Sequence, residues 1–379
     1  MKVLHFYKTY LPDTIGGVEN VIFEIIKGTT SLGVFSEVMT LTKEHASRTY
    51  TYEGHTVHRC RSNFEFASTP FSFSALYRLK RISASFDLIH YHFPYPFADM
   101  LQIFGVINKP YVVTYHSDIV KQKKLLYFYR PLKDRFLSSA VRIVATSPNY
   151  LASSPILSKY KGQTEVIPIG ISESNYPKAS AEKVNFWRDQ VGSQFFLFVG
   201  VLRYYKGLYI LLDAAKNVDF SIVIVGSGPI ESELKVKATE MGLTNVIFLG
   251  QLEETDKAAL FELCLSVVFP SHLRSEAFGV ALLEGAMYGK PLISSEIGTG
   301  TSYININSVT GLVIPPSDPL KLAEAMTFLW LNPVEAQTFG LNARDRYLEL
   351  FTCEKMAGAY LKLYEEAFLD QSKEEYSLL

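Results

Sequence analysis

The sequence predicts an α/β protein made of two Rossmann-like domains with the functional site in a cleft between them. Three observations carry this. Short apolar strand patterns alternate with helical patterns along the whole chain. A length of 379 residues suits two domains, each with its own core. Glycine-bearing and cationic segments follow several strand patterns, at the edge where open parallel sheets bind ligands.

Strands are expected at 3–7, 36–41, 88–92, 111–116, 142–147 and 165–167, and again at 195–199, 220–225, 246–249, 265–269, 291–294 and 311–314. Helical patterns fill most of the intervals, which implies parallel sheets covered on both faces. The polar stretch 172–190 contains Pro177 and no strand pattern, so it reads as the interdomain linker. The expected domains are 1–175 and 176–350. A last segment, 351–379, should hold a helix at 354–367 and a frayed tail at 373–379.

With 48% hydrophobic and 20% charged residues, the chain has the composition of a folded globular protein. Its longest apolar runs, such as 195–201, fall far short of the ~18 residues of a membrane span. Strand pattern begins at once after Met1, with no signal-peptide pattern. Cys60, Cys264 and Cys353 are odd in number and scattered. That argues against a disulfide framework or a zinc site and for a reducing, cytoplasmic compartment. Charge is uneven: residues 1–170 hold 20 Lys and Arg against 12 Asp and Glu, and the remainder 17 against 26. A basic first half suggests an anionic partner. A membrane surface or lipid phosphate is expected there rather than nucleic acid.

The most informative segment runs from Ser275 to Gly285. Glu276 and Glu284, with seven residues between them, bracket a turn at Phe278-Gly279 and a helix opening near Val280. A helix start presents unpaired N–H groups and a positive dipole end, which suits a phosphate. Glu284 lies five residues past Gly279, roughly 7–8 Å along the axis. One short segment could therefore grip a sugar, a diphosphate and a ribose. The plainer reading is an amphipathic helix with a surface glutamate.

Other groups sit at similar places. Gly16-Gly17-Val18-Glu19 follows the first strand and lets backbone approach a ligand, unless it is only a turn before a helix. Arg203 and Lys206 follow the first strand of the second half and share a face if that turn is helical. They could neutralise a departing diphosphate, or be two solvated cations. His116 ends a strand and could bond a reacting sugar. Asp118 could hold an acceptor hydroxyl or cap a helix. Gly226, in Gly226-Ser227-Gly228-Pro229, marks a nucleotide-contacting turn without the third glycine of a dinucleotide site. Gly250 and Gln251 should lie against the base. The stretch 121–136 mixes Lys121, Lys123, Lys124 and Arg130 with aromatic and leucine residues. That composition suits a helix on an anionic membrane or near a lipid diphosphate, or a solvated face over a buried stripe. No D-x-D occurs, so no metal site is expected: Arg203, Lys206 and the helix start supply the positive charge.

The ordered set GG-x-E, strand-end His, Arg/Lys, G-x-G-P and E-x7-E resembles the retaining GT-B glycosyltransferases of family four, over nearly the whole chain. The resemblance implies transfer of a hexose from a nucleoside diphosphate sugar with retention at the anomeric carbon. In that family the glycine loop and the Arg/Lys pair meet the diphosphate, and the His lies near the anomeric centre. Glu276 and His116 would then fix the sugar, and Glu284 the ribose. In the family four or five residues separate the Arg from the Lys, whereas only two separate Arg203 from Lys206. The segment 6–19 resembles bacterial O-antigen mannosyl- and rhamnosyltransferases. This implies GDP-mannose as donor and no other cofactor. It also implies a polyprenyl-diphosphate-linked glycan acceptor, the inner face of the cytoplasmic membrane as location, and other polysaccharide-assembly enzymes as partners. A UDP-sugar-dependent transferase, a sugar-nucleotide epimerase on the same architecture and a noncatalytic nucleotide- or glycan-binding protein remain alternatives. Product analysis with and without acceptor separates them.

Overall fold

The computed structural model describes residues 1–14, 16–67, 69–107, 109–119 and 123–377, with side chains left undescribed at 123–126 and 371–377. The chain forms two compact units, one of Met1–Gly170 with Cys353–Leu379 and one of Ile171–Thr352.

The first unit is built on β1 (Lys2–Phe6), β2 (Phe35–Thr42), β3 (Arg48–Tyr52), β4 (His55–Arg61), β5 (Phe64–Phe66), β6 (Thr69–Phe71), β7 (Leu88–Phe93), β8 (Tyr111–Tyr115), β9 (Arg142–Ala145) and β10 (Thr164–Val166). Its main sheet has the order β10-β9-β8-β7-β1-β2-β4-β3. Every pairing is parallel except that of β3 with β4. β7 and β8 are buried along their whole length, as strands covered on both faces must be. β5 and β6 form a separate antiparallel ribbon.

The long helix Cys353–Ser377 packs against the helix Gly17–Thr30 of this unit. At their closest approach a Cβ on Gly28 would come within 2.7 Å of Ala357 Cβ, so only glycine lets the helices meet. Tyr360 and Tyr364 are fully buried against the sheet. The helical backbone continues to Ser377, so the tail expected to fray from residue 373 is largely helix.

The second unit holds β11 (Phe196–Val199), β12 (Ile222–Val225), β13 (Val246–Gly250), β14 (Ser266–Phe269), β15 (Leu292–Ser295) and β16 (Gly311–Ile314). They form one parallel sheet in the order β13-β12-β11-β14-β15-β16. Its interior gathers Phe196, Phe198, Leu211, Ile224, Val268 and Met326. The division between units falls at 170/171 and again at 352/353. The stretch read as a linker belongs to the second unit and is largely ordered. Ser180 caps a helix at Ala181–Val191, and Lys183 and Trp187 of that helix bond Asp256. This helix is polar over most of its surface and is fixed by that ion pair together with the buried Trp187 and Val191.

Candidate active site

In the second unit, the loops after β11, β12 and β13 are tied together by their backbones. Gly200 N–H donates to Val225 O at 3.0 Å, Leu202 N–H to Ser227 O at 2.9 Å, and Gly226 N–H to Gly250 O at 2.7 Å. The approach is too close for side chains. A Cβ on Gly226, which has φ +129°, would lie 2.1 Å from Gly200 O. Gly226 and Gly250 thus form part of one strand-end surface. Gln251 stands exposed beside it, 3.5 Å from Ser227 Oγ.

After β11 the chain makes a 3-10 turn, Tyr204–Lys206, with Arg203 just before it. Arg203 itself is extended, with φ −124° and ψ 152°, and its carbonyl accepts from Lys206 N–H at 3.0 Å, closing the turn. Gly207 follows in the left-handed region, φ +74°. A Cβ there would be 1.9 Å from Pro270 O, so glycine seats this turn against the end of β14. Lys206 Nζ consequently lies 4.6 Å from the Phe269 ring centroid and forms an ion pair with Glu276. Both side chains are mostly buried, at 13% and 12% exposure. Ser271 Oγ is 3.4 Å from the same carboxylate. Arg203 is exposed. Tyr205 lies among these charges. Burial and the Glu276 carboxylate push its hydroxyl up to about 12, and the Arg203 cation acts in the opposite sense.

The helix Val280–Met287 opens at Gly279, whose φ of +104° turns the chain sharply. Phe278 is buried. A Cβ on Gly300 would press to 2.4 Å of its ring, so the loop before residue 301 closes under the turn. Glu284 sits one turn into the helix, half-buried, and accepts a 3.1 Å hydrogen bond from Tyr176 Oη. Burial raises its carboxyl to about 7; the Lys257 cation, the Tyr176 bond and the Lys206 cation oppose the rise, and Glu254 adds to it.

In the first unit, Gly16 and Gly17 open the helix Gly17–Thr30. Glu19 folds back beneath them: a Cβ on Gly16 would lie 2.6 Å from its Oε2, and Thr9 Oγ1 donates to Oε1 at 2.7 Å. This acid anchors the glycine loop. His116 follows β8 and is buried, and burial lowers its imidazole to about 3, so it is neutral at physiological pH. Asp118 does not cap the following helix, which begins five residues later at Lys123. Its Oδ1 accepts from Tyr115 Oη and Ser154 Oγ, both at 2.9 Å, clamping the loop. Past the carboxyl ends of β1 and β2 lies a cavity of about 300 Å³, lined by Lys8, Asp13, Thr14, Thr42, Lys43 and Glu65 among others. Sequence reading missed it. Its wall contains Asp13, held by both oxygens at 2.8 and 2.9 Å on the buried guanidinium of Arg59.

Of the expected membrane-facing cations, Lys121 lies outside the described residues, as do the side chains of Lys123 and Lys124. In the helix Lys123–Ser138, Tyr127 and Phe128 are 75% and 80% exposed, Arg130 is exposed, and Phe136 and Leu137 are buried.

Two parallel-sheet units of the Rossmann kind, with cations and acids at the strand ends of the second, define the GT-B class of glycosyltransferases. Residues 180–346 match the group 1 glycosyl transferase family and residues 15–174 match glycosyltransferase family 4. The chain belongs to this family. It is 52% identical to the D-rhamnosyltransferase WbpZ of Pseudomonas aeruginosa, across 93% of this chain and 92% of that protein. It is also 52% identical to the O-antigen chain mannosyltransferase C of Escherichia coli, across 96% and 98%. Among solved structures, the sucrose-phosphate synthase of Thermosynechococcus elongatus superposes with a TM-score of 0.81 at 22% identity, covering 97% of this chain and 99% of that one. The lipopolysaccharide glycosyltransferase WaaG superposes at 0.70 with 15% identity, covering 96% and 99%.

Proposed function

We propose that this glycosyltransferase moves a mannosyl residue from GDP-mannose to a hydroxyl of a polyprenyl-diphosphate-linked glycan during O-antigen synthesis, with retention at the anomeric carbon. The observation that carries the reading is the 52% identity, nearly end to end, with an O-antigen chain mannosyltransferase. Lys206, Arg203 and the start of the helix at Gly279 neutralise the diphosphate, so the reaction runs without a metal ion. Glu276 holds sugar hydroxyls, His116 bonds the sugar, and Glu284 accepts from the ribose hydroxyls. Gly16 and Gly17 meet the diphosphate. Gly250 and Gln251 meet the base. Attack comes from the face the leaving group departs. The C1–O bond to phosphate breaks, the acceptor oxygen bonds C1, and a phosphate oxygen takes the acceptor proton. The nucleoside diphosphate leaves.

The polar cavity beside Lys8, Asp13 and Lys43 suits glycan hydroxyls and phosphate of the acceptor. Tyr127, Phe128 and Arg130 give the helix Lys123–Ser138 an aromatic and basic face that suits an anionic membrane. The test is transfer from labelled GDP-mannose to a lipid-linked glycan in EDTA, with the product anomer read by NMR. An α-linked product supports the reading. Metal-dependent transfer or an inverted product overturns it.

A second donor reading rests on the equal identity to a D-rhamnosyltransferase. D-rhamnose is mannose without its 6-hydroxyl. Competition between GDP-mannose and GDP-D-rhamnose separates the two. Preference for the deoxy sugar would identify a rhamnosyltransferase.

A further inference from the structure

Four histidines lie together in the first unit, His5 on β1, His90 and His92 on the neighbouring β7, and His116 just after β8. His5 of β1 is level with His90 of β7, and His92 of β7 with Thr114 of β8. All four rings are buried. His92 stacks on His90 at 4.3 Å and on His116 at 5.2 Å between centroids. Three of them form a chain: His5 Nδ1 is 3.1 Å from His92 Nε2, and His92 Nδ1 is 2.9 Å from His116 Nε2. Burial lowers all four imidazoles, those of His5 and His116 to about 3, so the rings are neutral at physiological pH.

A neutral imidazole donates from one nitrogen and accepts at the other. The chain can therefore hold its protons in only two ways, all directed toward His116 or all directed toward His5. His5 Nε2 is buried without a hydrogen-bond partner. If the protons pointed toward His5, that atom would be an orphaned N–H. If they point toward His116, it is a bare lone pair. Orphaned buried N–H groups are the rarer defect. The second arrangement puts the proton on Nδ1 of every ring in the chain, and leaves His116 Nδ1–H as its terminal donor.

We propose that His5 and His92 are positioning residues that lock His116 in the Nδ1–H tautomer, so that it presents a hydrogen-bond donor to an oxygen of the transferred sugar. This rests on the proposed role of His116 at the sugar. His5, His90 and His92 do each place a nitrogen within 4.8 Å of the others, a spacing that could suggest a metal. Both nitrogens of His92 are already engaged in the chain. Those of His90 are bonded at 2.8 Å to Tyr364 Oη and at 2.7 Å to Thr114 Oγ1. The pattern is that of a hydrogen-bond relay braced by the last helix.

The test is nitrogen NMR of the full chain carrying labelled histidine, without ligand at pH 7, assigned with His92→Gln and His116→Gln. The expected result is a neutral His116 protonated on Nδ1, with its resonances moving when the nucleotide sugar is added. His92→Phe should free the tautomer toward Nε2–H and lower kcat about tenfold, the loss of one hydrogen bond, while KM for the donor stays nearly unchanged. Should His92→Phe fail to fold, His92→Gln, which retains a donor and an acceptor, should keep the tautomer. A wild-type His116 that is cationic or protonated on Nε2, with transfer intact, overturns the proposal alone. Wild-type enzyme without transfer to any lipid-linked glycan overturns the proposed function, and this proposal with it.

Discussion

Lys206 forms an ion pair with Glu276, and its ammonium lies 4.6 Å from the centroid of the Phe269 ring. Each charge satisfies the other. The proposed reaction separates them, Lys206 to the diphosphate and Glu276 to sugar hydroxyls.

Lys206→Ala is expected to lower kcat at least 10²–10³-fold, the order lost with one electrostatic donor at a transition state. The fold should persist, because the turn is held by Gly207 and by backbone bonds. Steady-state kinetics with a thermal melt checks this. Near-normal turnover in a folded variant would remove Lys206 from the leaving group.

In its proposed ribose-binding role, Glu284 should link donor affinity to pH. Its carboxyl is raised from 4.5 to about 7, so it is largely protonated at pH 6 and ionised at pH 8. Ribose hydroxyls donate, and the ionised form accepts best. GDP affinity should therefore rise with pH across that range. Glu284→Gln should flatten the curve. Glu284→Ala should weaken GDP about 10–100-fold, the range for hydrogen bonds to a charged group. Tyr176→Phe removes a bond that lowers the carboxyl and should move the midpoint upward. The stability contribution runs the other way: the folded state binds the extra proton between pH 4.5 and about 7, so this term weakens as pH rises through that window. Calorimetry at pH 6, 7 and 8 reads the binding effect.

Gly207→Ala should destabilise the second unit. A left-handed non-glycine residue costs about 1–3 kcal/mol, and the Cβ would also meet Pro270 O at 1.9 Å. A lowered melting temperature together with reduced GDP affinity is expected. An unchanged melt would show that this turn tolerates a side chain.

Replacing Tyr127 and Phe128 together by serine should weaken binding to anionic vesicles about tenfold or more, since one buried aromatic contributes about 1.5–3 kcal/mol. Both rings are mainly exposed, so the melt should not move. Vesicle sedimentation measures the effect, and equal binding by variant and parent would exclude this face.

Most of the parallel strands were legible because they are largely apolar: all twelve expected strands occur, with ends within two residues of their expected places. β3 and β4 were not. β4 reads His-Thr-Val-His-Arg-Cys-Arg, and hydropathy does not reveal that Arg59 is neutralised by Asp13 or that His58 meets Glu37. The same blindness hid the histidine chain, whose polar rings are buried because they satisfy one another. Around the candidate site, Gly279 and the E-x7-E spacing were readable as a turn into a helix. Tyr176 was not, because it lies 108 residues from Glu284 and only folding joins them. The role of Glu19 as an anchor under Gly16 likewise depends on a carboxylate folding back, which spacing does not show.

The proposed reaction uses a guanosine diphosphate sugar without a metal ion. It is tested most directly by calorimetric titration of the chelator-treated protein with GDP, UDP, ADP and dTDP. Tight binding of GDP alone, unchanged by added magnesium, is expected. Selective binding of UDP, or binding of GDP only with a divalent cation, would contradict it.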